Sequence, residues 1–359
     1  MNIKTTSTIT ALGLAAMMLA GCASTGAQAD AAGGEAQTSP AAELRLGYFA
    51  NVTHAPALVG LEEGLFADAL GEDTELTTQV FNAGPAAVEA LSAGAIDATY
   101  IGPNPSINTF IQSGGASARI VAGAATGGAA LVVREGIDSP ADLAGTTLAT
   151  PQLGNTQDVA LRSWLADEGF ETDVQGGGDV HITPTENAQT LTLFQQGQLD
   201  GAWLPEPWVS RLIVDAGAHV LVDEADLWEG GAFPTTVLLV RAEFLEEHPE
   251  TVEALLEGHV AAIDWIGEHP AEAPVVINGA IEAETGKPLA DAVISRALEH
   301  VRFSADPVAA TFQTLVENGL EAGTQKEGSI EGLFDLRLLN GLLEAEGREP
   351  VSAGGLGEE

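Results

Sequence analysis

The chain has 359 residues, of which 52 are acidic and 13 are lysine or arginine, so its formal net charge is −39 at pH 7. A surface of this charge repels nucleic acids and anionic lipids, which excludes both as expected partners. A hydrophobic content of 45% is that of a globular protein, and the length allows one large domain or two lobes.

The N-terminal segment is typical of a secretion signal. Lys4 precedes an apolar run over residues 11–20, which is too short to span a bilayer. The sequence Leu-Ala-Gly-Cys that ends at Cys22 resembles a bacterial lipobox. We therefore expect a lipoprotein signal peptide over residues 1–21 and a lipid anchor on Cys22. Residues 22–43 are rich in Ala, Gly, Ser and Thr, which predicts a flexible tether.

From Leu44 onward, a strand, a turn with glycine or proline, and a helix follow each other repeatedly. Strands are predicted over residues 44–49, 79–81, 96–101 and 119–122. One helix is predicted over residues 55–70, and another begins at Pro85 and stops at Gly94, with the proline and the glycine at its expected ends. This alternation indicates α/β layers around a largely parallel sheet.

The same pattern resumes in the middle of the chain, with strands predicted over residues 146–150, 180–183, 199–204 and 219–222. After about residue 242 the sequence is mostly helical. Two β-rich segments, residues 129–134 and 235–241, have no helix directly after them, and we interpret them as crossing strands that join two lobes. The predicted parts are lobe one (44–129 plus 241–346), lobe two with the hinge strands (130–240) and a flexible tail (347–359).

Four turns share small residues, a proline or an amide side chain, and a helix that follows. They are Asn82–Pro85, Gly102–Ser106, Gly154–Gln157 and Pro205–Trp208. Free N–H groups at helix N-termini bind anions well, and ligands of open α/β sheets bind at the carboxyl ends of strands. A cleft between the lobes would therefore be lined by helix ends. The alternative is that these turns only cap their helices.

The charge pattern and the missing enzyme motifs limit the kinds of binding or catalytic site that the chain can form. No lysine or arginine occurs between Arg45 and Arg119, so lobe one would hold an anion with backbone N–H groups, helped by Asn104 and Ser106. His54 follows the first strand and either faces the cleft or lies on the surface. The chain has no Gly-x-Ser-x-Gly motif and no His-Glu-x-x-His spacing. We expect neither an enzyme nor a cofactor or metal site.

Several short motifs have the order and spacing of one known family. They are Gly47-Tyr48-Phe49, Glu63-Gly64-Leu65-Phe66, Ala93–Asp97, Tyr100–Pro103, Ala202–Trp208 and Phe233–Thr236. Together they resemble the aliphatic-sulfonate, nitrate and taurine-binding proteins, which are solute receptors of ABC importers. The resemblance implies a type II periplasmic-binding-protein fold, in which two crossing strands join two α/β lobes. It also implies three partners: a small anionic solute, an ABC permease and its ATPase. We expect a monomer.

The resemblance gives Glu206 two alternative roles. It either binds the ammonium group of taurine, or it pairs with an arginine on a crossing strand or stabilises the helix that follows it. Trp203 and Trp208 either form an apolar wall for an alkyl tail or belong to the core. The predicted ligand-binding residues are Asn82, Gly84, Asn104, Ser106, Gly128, Asn155, Thr156, Glu206 and Thr235.

These expectations define a lipid-anchored, extracytoplasmic receptor that captures an aliphatic sulfonate or taurine between two lobes and delivers it to the permease. Nitrate, bicarbonate or a thiamin-precursor pyrimidine is the alternative cargo. An enzyme that makes such a pyrimidine is a further alternative, against which the lipobox argues, because cofactor synthesis belongs in the cytoplasm.

Overall fold

The computed structural model describes residues 39–359 and contains two β-sheets. The strands in chain order are β1 (Glu43–Tyr48), β2 (Glu75–Val80), β3 (Ala98–Ile101), β4 (Ala118–Gly127), β5 (Ala129–Val133), β6 (Thr147–Thr150), β7 (His181–Pro184), β8 (Gly201–Pro205), β9 (His219–Asp223), β10 (Pro234–Arg241), β11 (Val301–Phe303), β12 (Phe334–Asp335) and β13 (Gly357–Glu358). Lobe one contains the sheet β13-β12-β4-β10-β3-β1-β2, with β11 paired to β4. Lobe two contains the sheet β7-β6-β8-β5-β9.

Both sheets mix parallel and antiparallel pairs. In lobe one β1 pairs in parallel with β2 and β3, and in lobe two β6 pairs in parallel with β7 and β8. β10 and β5 run antiparallel to both of their neighbours. The parallel halves confirm the predicted α/β layers, and the turns after β1, β3, β6 and β8 all leave the carboxyl ends of strands.

The helices cover the faces of these sheets. In chain order they are α1 (Ala55–Glu62), α2 (Leu65–Leu70), α3 (Gly84–Ser92), α4 (Pro103–Gln112), α5 (Thr156–Asp167), α6 (Asn187–Gln195), α7 (Trp208–Ala216), α8 (Ala242–Glu247), α9 (Pro249–Glu268), α10 (Ala273–Thr285), α11 (Asp291–His300), α12 (Phe312–Glu321) and α13 (Arg337–Ala345). The single helix predicted over residues 55–70 is wrong, because Gly64 adopts a left-handed φ of 72° and separates α1 from α2.

Each lobe has its own hydrophobic core. In lobe one Phe66 is fully buried between two helical glycines: a Cβ atom on Gly60 would lie 2.4 Å from the Phe66 ring, and one on Gly258 would lie 2.6 Å from it. In lobe two Trp203 is fully buried against Trp164. Trp203 is therefore a core residue, which is one of its two predicted alternatives.

The chain passes between the lobes at two places close to the predicted ones. The first is Gly128, between β4 and β5, where φ is 71° and a Cβ atom would lie 2.4 Å from Val301 Cγ2. The second is the segment over residues 224–233, between β9 and β10. The two segments predicted as crossing strands instead form β5 and β10, and each of these strands belongs to a single sheet. β10 belongs to lobe one, which therefore resumes at Pro234 and not at residue 241.

Both ends of the described chain pack more closely than the sequence suggests. Gly357–Glu358 form β13 beside β12, and Ala353 is fully buried, so residues 347–359 do not form the predicted flexible tail. Ala41, within the predicted tether, donates its N–H to Thr251 Oγ1 over 2.8 Å. Cys22 and the signal peptide lie outside the described residues. Within residues 39–359 no helix combines the length and the apolar character that crossing a membrane requires.

Candidate ligand-binding cleft

A small inner cavity of about 20 Å³ lies between the two lobes. Its walls come from the turns after β1, β2, β3 and β6, from the start of α6, from the end of β8 and from the start of β10. None of its lining residues carries a formal charge at neutral pH: Phe49, Asn51, Thr53, His54, Asn82, Gly102, Pro151, Asn155, Thr156, Gln157, Asn187, Pro205 and Thr235. The small volume places any bound group in direct contact with neutral donors.

The N-terminus of α5 opens onto the inner cavity. Asn155 precedes the helix in an extended conformation, and Thr156 is its first residue. The first N–H groups of a helix have no partner within it and attract anions. Thr156 is 2% exposed, and its Oγ1 forms no hydrogen bond with any of the described residues. A buried hydroxyl beside helix N–H groups is suited to donate to an oxyanion.

A buried ion pair holds this turn in place. Asp158 accepts hydrogen bonds from Thr150 Oγ1 at 2.8 Å and from the Gly154 N–H at 2.9 Å. Arg162 Nε donates to the same carboxylate over 3.0 Å, and both side chains are almost completely buried. The carboxylate therefore links β6, the turn and α5, which fixes the direction of the helix N–H groups.

Lobe one approaches this turn closely at Gly102, between β3 and α4. A Cβ atom on Gly102 would lie 2.5 Å from Thr156 Oγ1 and 3.7 Å from the Thr235 carbonyl oxygen. The φ of Gly102 is −70°, which any residue adopts. Glycine is needed here for space alone, since a side chain would hold the lobes apart.

His54 forms the wall of the inner cavity on the side of lobe one. The Phe49 N–H donates to its Nδ1 over 3.3 Å, and the two rings stack with centroids 4.4 Å apart. Burial lowers the pKa of the His54 imidazole to about 3, so the ring is neutral at physiological pH.

A larger outer chamber of about 320 Å³ adjoins the inner cavity and shares Phe49, Asn51, Asn82 and Asn187 with it. Phe49, Trp208 and Leu289 supply apolar surface, and the charged lining residues are Glu186, Arg211, Asp215, Glu284 and Lys287. The guanidinium of Arg211 lies 4.6 Å from the Trp208 ring centroid, a cation–π contact. Trp208 therefore lines the cleft, in contrast to the buried Trp203.

Three hydrogen bonds join the lobes around these spaces. The Gly84 N–H donates to Asn155 Oδ1 over 3.3 Å, Asn82 Nδ2 donates to Glu186 Oε1 over 3.3 Å, and Trp208 Nε1 donates to Asn51 Oδ1 over 2.9 Å. The two lobes thus meet in a closed arrangement, with the cavity at the centre of their contact.

Glu206 lies outside the inner cavity and the outer chamber. Its carboxylate accepts from the Ser210 N–H at 3.0 Å, from Ser210 Oγ at 2.9 Å and from Arg296 Nη1 at 2.8 Å. Of its predicted roles, the structure shows arginine pairing and helix stabilisation, with the arginine on α11 and not on a crossing strand. Gly128 lies beside Glu206 in this separate part of the lobe contact.

The remaining predicted residues divide into two groups. Asn82, Asn155, Thr156 and Thr235 line the inner cavity, and Gly84 reaches its rim through Asn155. Asn104 and Ser106 do not line it, because Asn104 Nδ2 donates to the Leu315 carbonyl and Ser106 Oγ donates to the Gly102 carbonyl.

Sequence reasoning left His54 undecided and did not select the polar lining residues Asn51, Thr53, Gln157 and Asn187. Gln157 ends the predicted turn Gly154–Gln157, and Asn51 and Thr53 directly precede His54, so selecting every polar residue of these two turns would have found them. Asn187 opens α6 without proline or glycine, so its turn did not fit the pattern that revealed the others.

Comparison with known proteins agrees with this architecture. A model of the NMT1-like family matches residues 37–278. The chain belongs to the NMT1-like family. It is 29% identical to the taurine-binding periplasmic protein of Escherichia coli (strain K12) over 210 residues, which are 58% of this chain and 62% of that protein. It is 27% identical to a putative aliphatic sulfonates-binding protein of Bacillus subtilis (strain 168), over 71% of this chain and 73% of that protein.

The solved structures show the same fold. The alkanesulfonate-binding protein SsuA from Xanthomonas axonopodis pv. citri, bound to MOPS, superposes with a TM-score of 0.67 and 21% identity, over 80% of this chain and 96% of that one. The predicted type II periplasmic-binding-protein fold is confirmed. The relatives from Escherichia coli and Bacillus subtilis are named as binding proteins, which agrees with the prediction that the chain is not an enzyme.

Proposed function

We propose that this protein is an extracytoplasmic solute receptor of an ABC importer and that it binds a small organosulfonate in the cleft between its lobes. The names of the relatives support a sulfonate, since taurine and aliphatic sulfonates share one head group. The permease and its ATPase are the proposed partners, and the lipid anchor at Cys22 and the monomeric state stay predictions.

One observation carries the choice of ligand: an uncharged cavity lined with donors adjoins a larger chamber whose lining includes the aromatic side chains of Phe49 and Trp208. The sulfonate would occupy the inner cavity, where the first N–H groups of α5 and the Thr156 hydroxyl donate to its oxygens. The organic substituent would extend past Phe49 and Trp208 into the outer chamber. Nitrate or bicarbonate would leave that chamber unused.

Closure completes the contacts with the ligand in this proposal. Thr156 belongs to lobe two and His54 to lobe one, so an anion between them interacts fully with both only when the lobes meet. A ligand that contacts both lobes stabilises the closed arrangement by its difference in affinity for the open and closed states. The closed form is then the form that the permease recognises.

Calorimetric titration of the purified protein tests this function. The ligands are methanesulfonate, taurine, octanesulfonate, nitrate, bicarbonate and a hydroxymethylpyrimidine. We expect Thr156→Ala to weaken all the sulfonates by a similar factor, and Trp208→Ala to weaken octanesulfonate more than methanesulfonate. Trp265→Ala, on α9 in lobe one, is the matched control and should change neither affinity. Binding of nitrate, bicarbonate or the pyrimidine alone would keep the receptor and contradict the organosulfonate.

A further inference from the structure

His54 combines features that an ordinary core histidine lacks. It is 3% exposed, yet it borders a cavity that contains no charged side chain. Other than His54, none of the residues that line this cavity titrates near neutral pH. The nearest titratable ring is Tyr100, with centroids 6.5 Å apart, and burial raises the pKa of Tyr100 well above its usual value, so both rings stay neutral.

The backbone decides which nitrogen of His54 carries the proton. Because Nδ1 accepts the Phe49 N–H, it presents a lone pair, and the proton of the neutral ring must lie on Nε2. Stacking on Phe49 prevents the ring from turning freely. The ring is therefore held with one acceptor, which is satisfied by the backbone, and one donor.

On the basis of the proposed function, we infer that the Nε2–H of His54 is a direct, uncharged hydrogen-bond donor to the bound oxyanion. This N–H is the hydrogen-bond donor that lobe one provides, and the α5 N–H groups and the Thr156 hydroxyl are the donors that lobe two provides. The chemical class of ligand that it serves is an oxyanion that is ionised at all physiological pH values, such as a sulfonate. Between pH 6 and pH 8 neither partner titrates, so His54 adds no pH dependence to binding.

Two substitutions separate this role from a purely structural one. In His54→Asn the side-chain amide can still accept the Phe49 N–H but is too short to replace Nε2. In His54→Gln the longer amide can place a donor near the Nε2 position. We expect His54→Asn to lose about 10- to 100-fold in affinity for ethanesulfonate, the loss of one hydrogen bond to a charged group. His54→Gln should retain most of it. Thermal denaturation without ligand checks that both variants fold.

A ¹⁵N–¹H NMR spectrum of the imidazole in the wild-type protein provides a readout that does not depend on a variant. The expected result is the Nε2–H tautomer from pH 6 to pH 8, with its resonance shifted by ethanesulfonate. Wild-type affinity in His54→Asn, or a proton on Nδ1, would overturn the inference. If the wild type does not bind ethanesulfonate, the proposed sulfonate function fails. Nitrate then tests the His54 contact separately. A nitrate-induced shift of the Nε2 resonance would keep the direct contact, and an unmoved resonance would overturn it.

Discussion

Replacement of Glu206 by glutamine distinguishes most sharply between a structural and a ligand-binding role for this residue. Glu206 lies in lobe two and Arg296 lies on α11, whose apolar face packs in the core of lobe one. Burial raises the pKa of the Glu206 carboxyl, and the hydrogen bonds from Ser210 and the charge of Arg296 partly offset this rise. The ion pair with Arg296 and the two hydrogen bonds from Ser210 favour the carboxylate form, so Glu206→Gln would leave the Arg296 guanidinium without its charged partner.

The size of the effect follows from burial and distance. The two charged groups are 2.8 Å apart, and the side chain of Glu206 is 1% exposed while that of Arg296 is 22% exposed. Breaking a fully buried pair costs about 3–5 kcal/mol, and the partial exposure of Arg296 places this pair near 3 kcal/mol. For a chain of this size, that loss lowers the melting temperature by roughly 5 °C.

Thermal denaturation and calorimetry with taurine and ethanesulfonate measure both roles of Glu206. We expect this loss of thermal stability and an unchanged ratio of the two affinities, because Glu206 lines neither the inner cavity nor the outer chamber. Glu243→Gln removes an exposed partner of Arg241 and should cost less than about 1 kcal/mol. A selective loss of taurine binding with unchanged stability would refute this reasoning and return Glu206 to the ligand.

Three further predictions concern space, pH and salt. Gly102→Ala should weaken ethanesulfonate binding at least about fivefold without unfolding the protein, because its methyl group would meet Thr156 Oγ1; Gly267→Ala, in open space on α9, is the calorimetric control. Burial raises the pKa of Glu224 from 4.5 to about 7, so the folded state retains a proton that the unfolded state releases. Stability from this group is full below pH 4.5 and falls as the pH rises to about 7, by roughly 3 kcal/mol, and Glu224→Gln should remove that fall in urea denaturation. Raising NaCl from about 0.1 M to about 1 M should raise the melting temperature, since it screens repulsion within a chain of net charge −39.

Each of these three predictions has a clear opposing result. Equal affinity in Gly102→Ala and Gly267→Ala would show that the lobes do not close on Thr156. The same pH dependence in wild type and Glu224→Gln would show that Glu224 does not hold the proton. A melting temperature that stays constant or falls with NaCl, while sucrose raises it, would show that charge repulsion does not limit stability.

The sequence predicted those parts of the fold that have strong local signals. Alternating strands and glycine- or proline-marked turns located most strands of both sheets. The break at Gly64 and the two-residue strands β12 and β13 were missed, because neither produces a periodic pattern. The place of β10 between β3 and β4 depends on long-range pairing, which no local pattern encodes.

The turns that line the inner cavity were predicted better than the individual side-chain contacts. Asn155 and Thr156, which line this cavity, were selected because glycine and amide residues mark a helix start at the end of a strand. The partner of Glu206 was not foreseen, since Arg296 is 90 residues away in sequence. Asn104 was placed in the cleft by its turn alone, whereas the helix directs its amide towards the Leu315 carbonyl.

A crystal structure of the protein with ethanesulfonate would show directly where the sulfonate group binds. We expect this group in the inner cavity, with its oxygens about 3 Å from the Thr156 hydroxyl, from an N–H of the first turn of α5 and from His54 Nε2. The ethyl group would point towards Phe49 and Trp208. A sulfonate bound in the outer chamber on Arg211 or Lys287, with no contact to Thr156, would contradict this expectation.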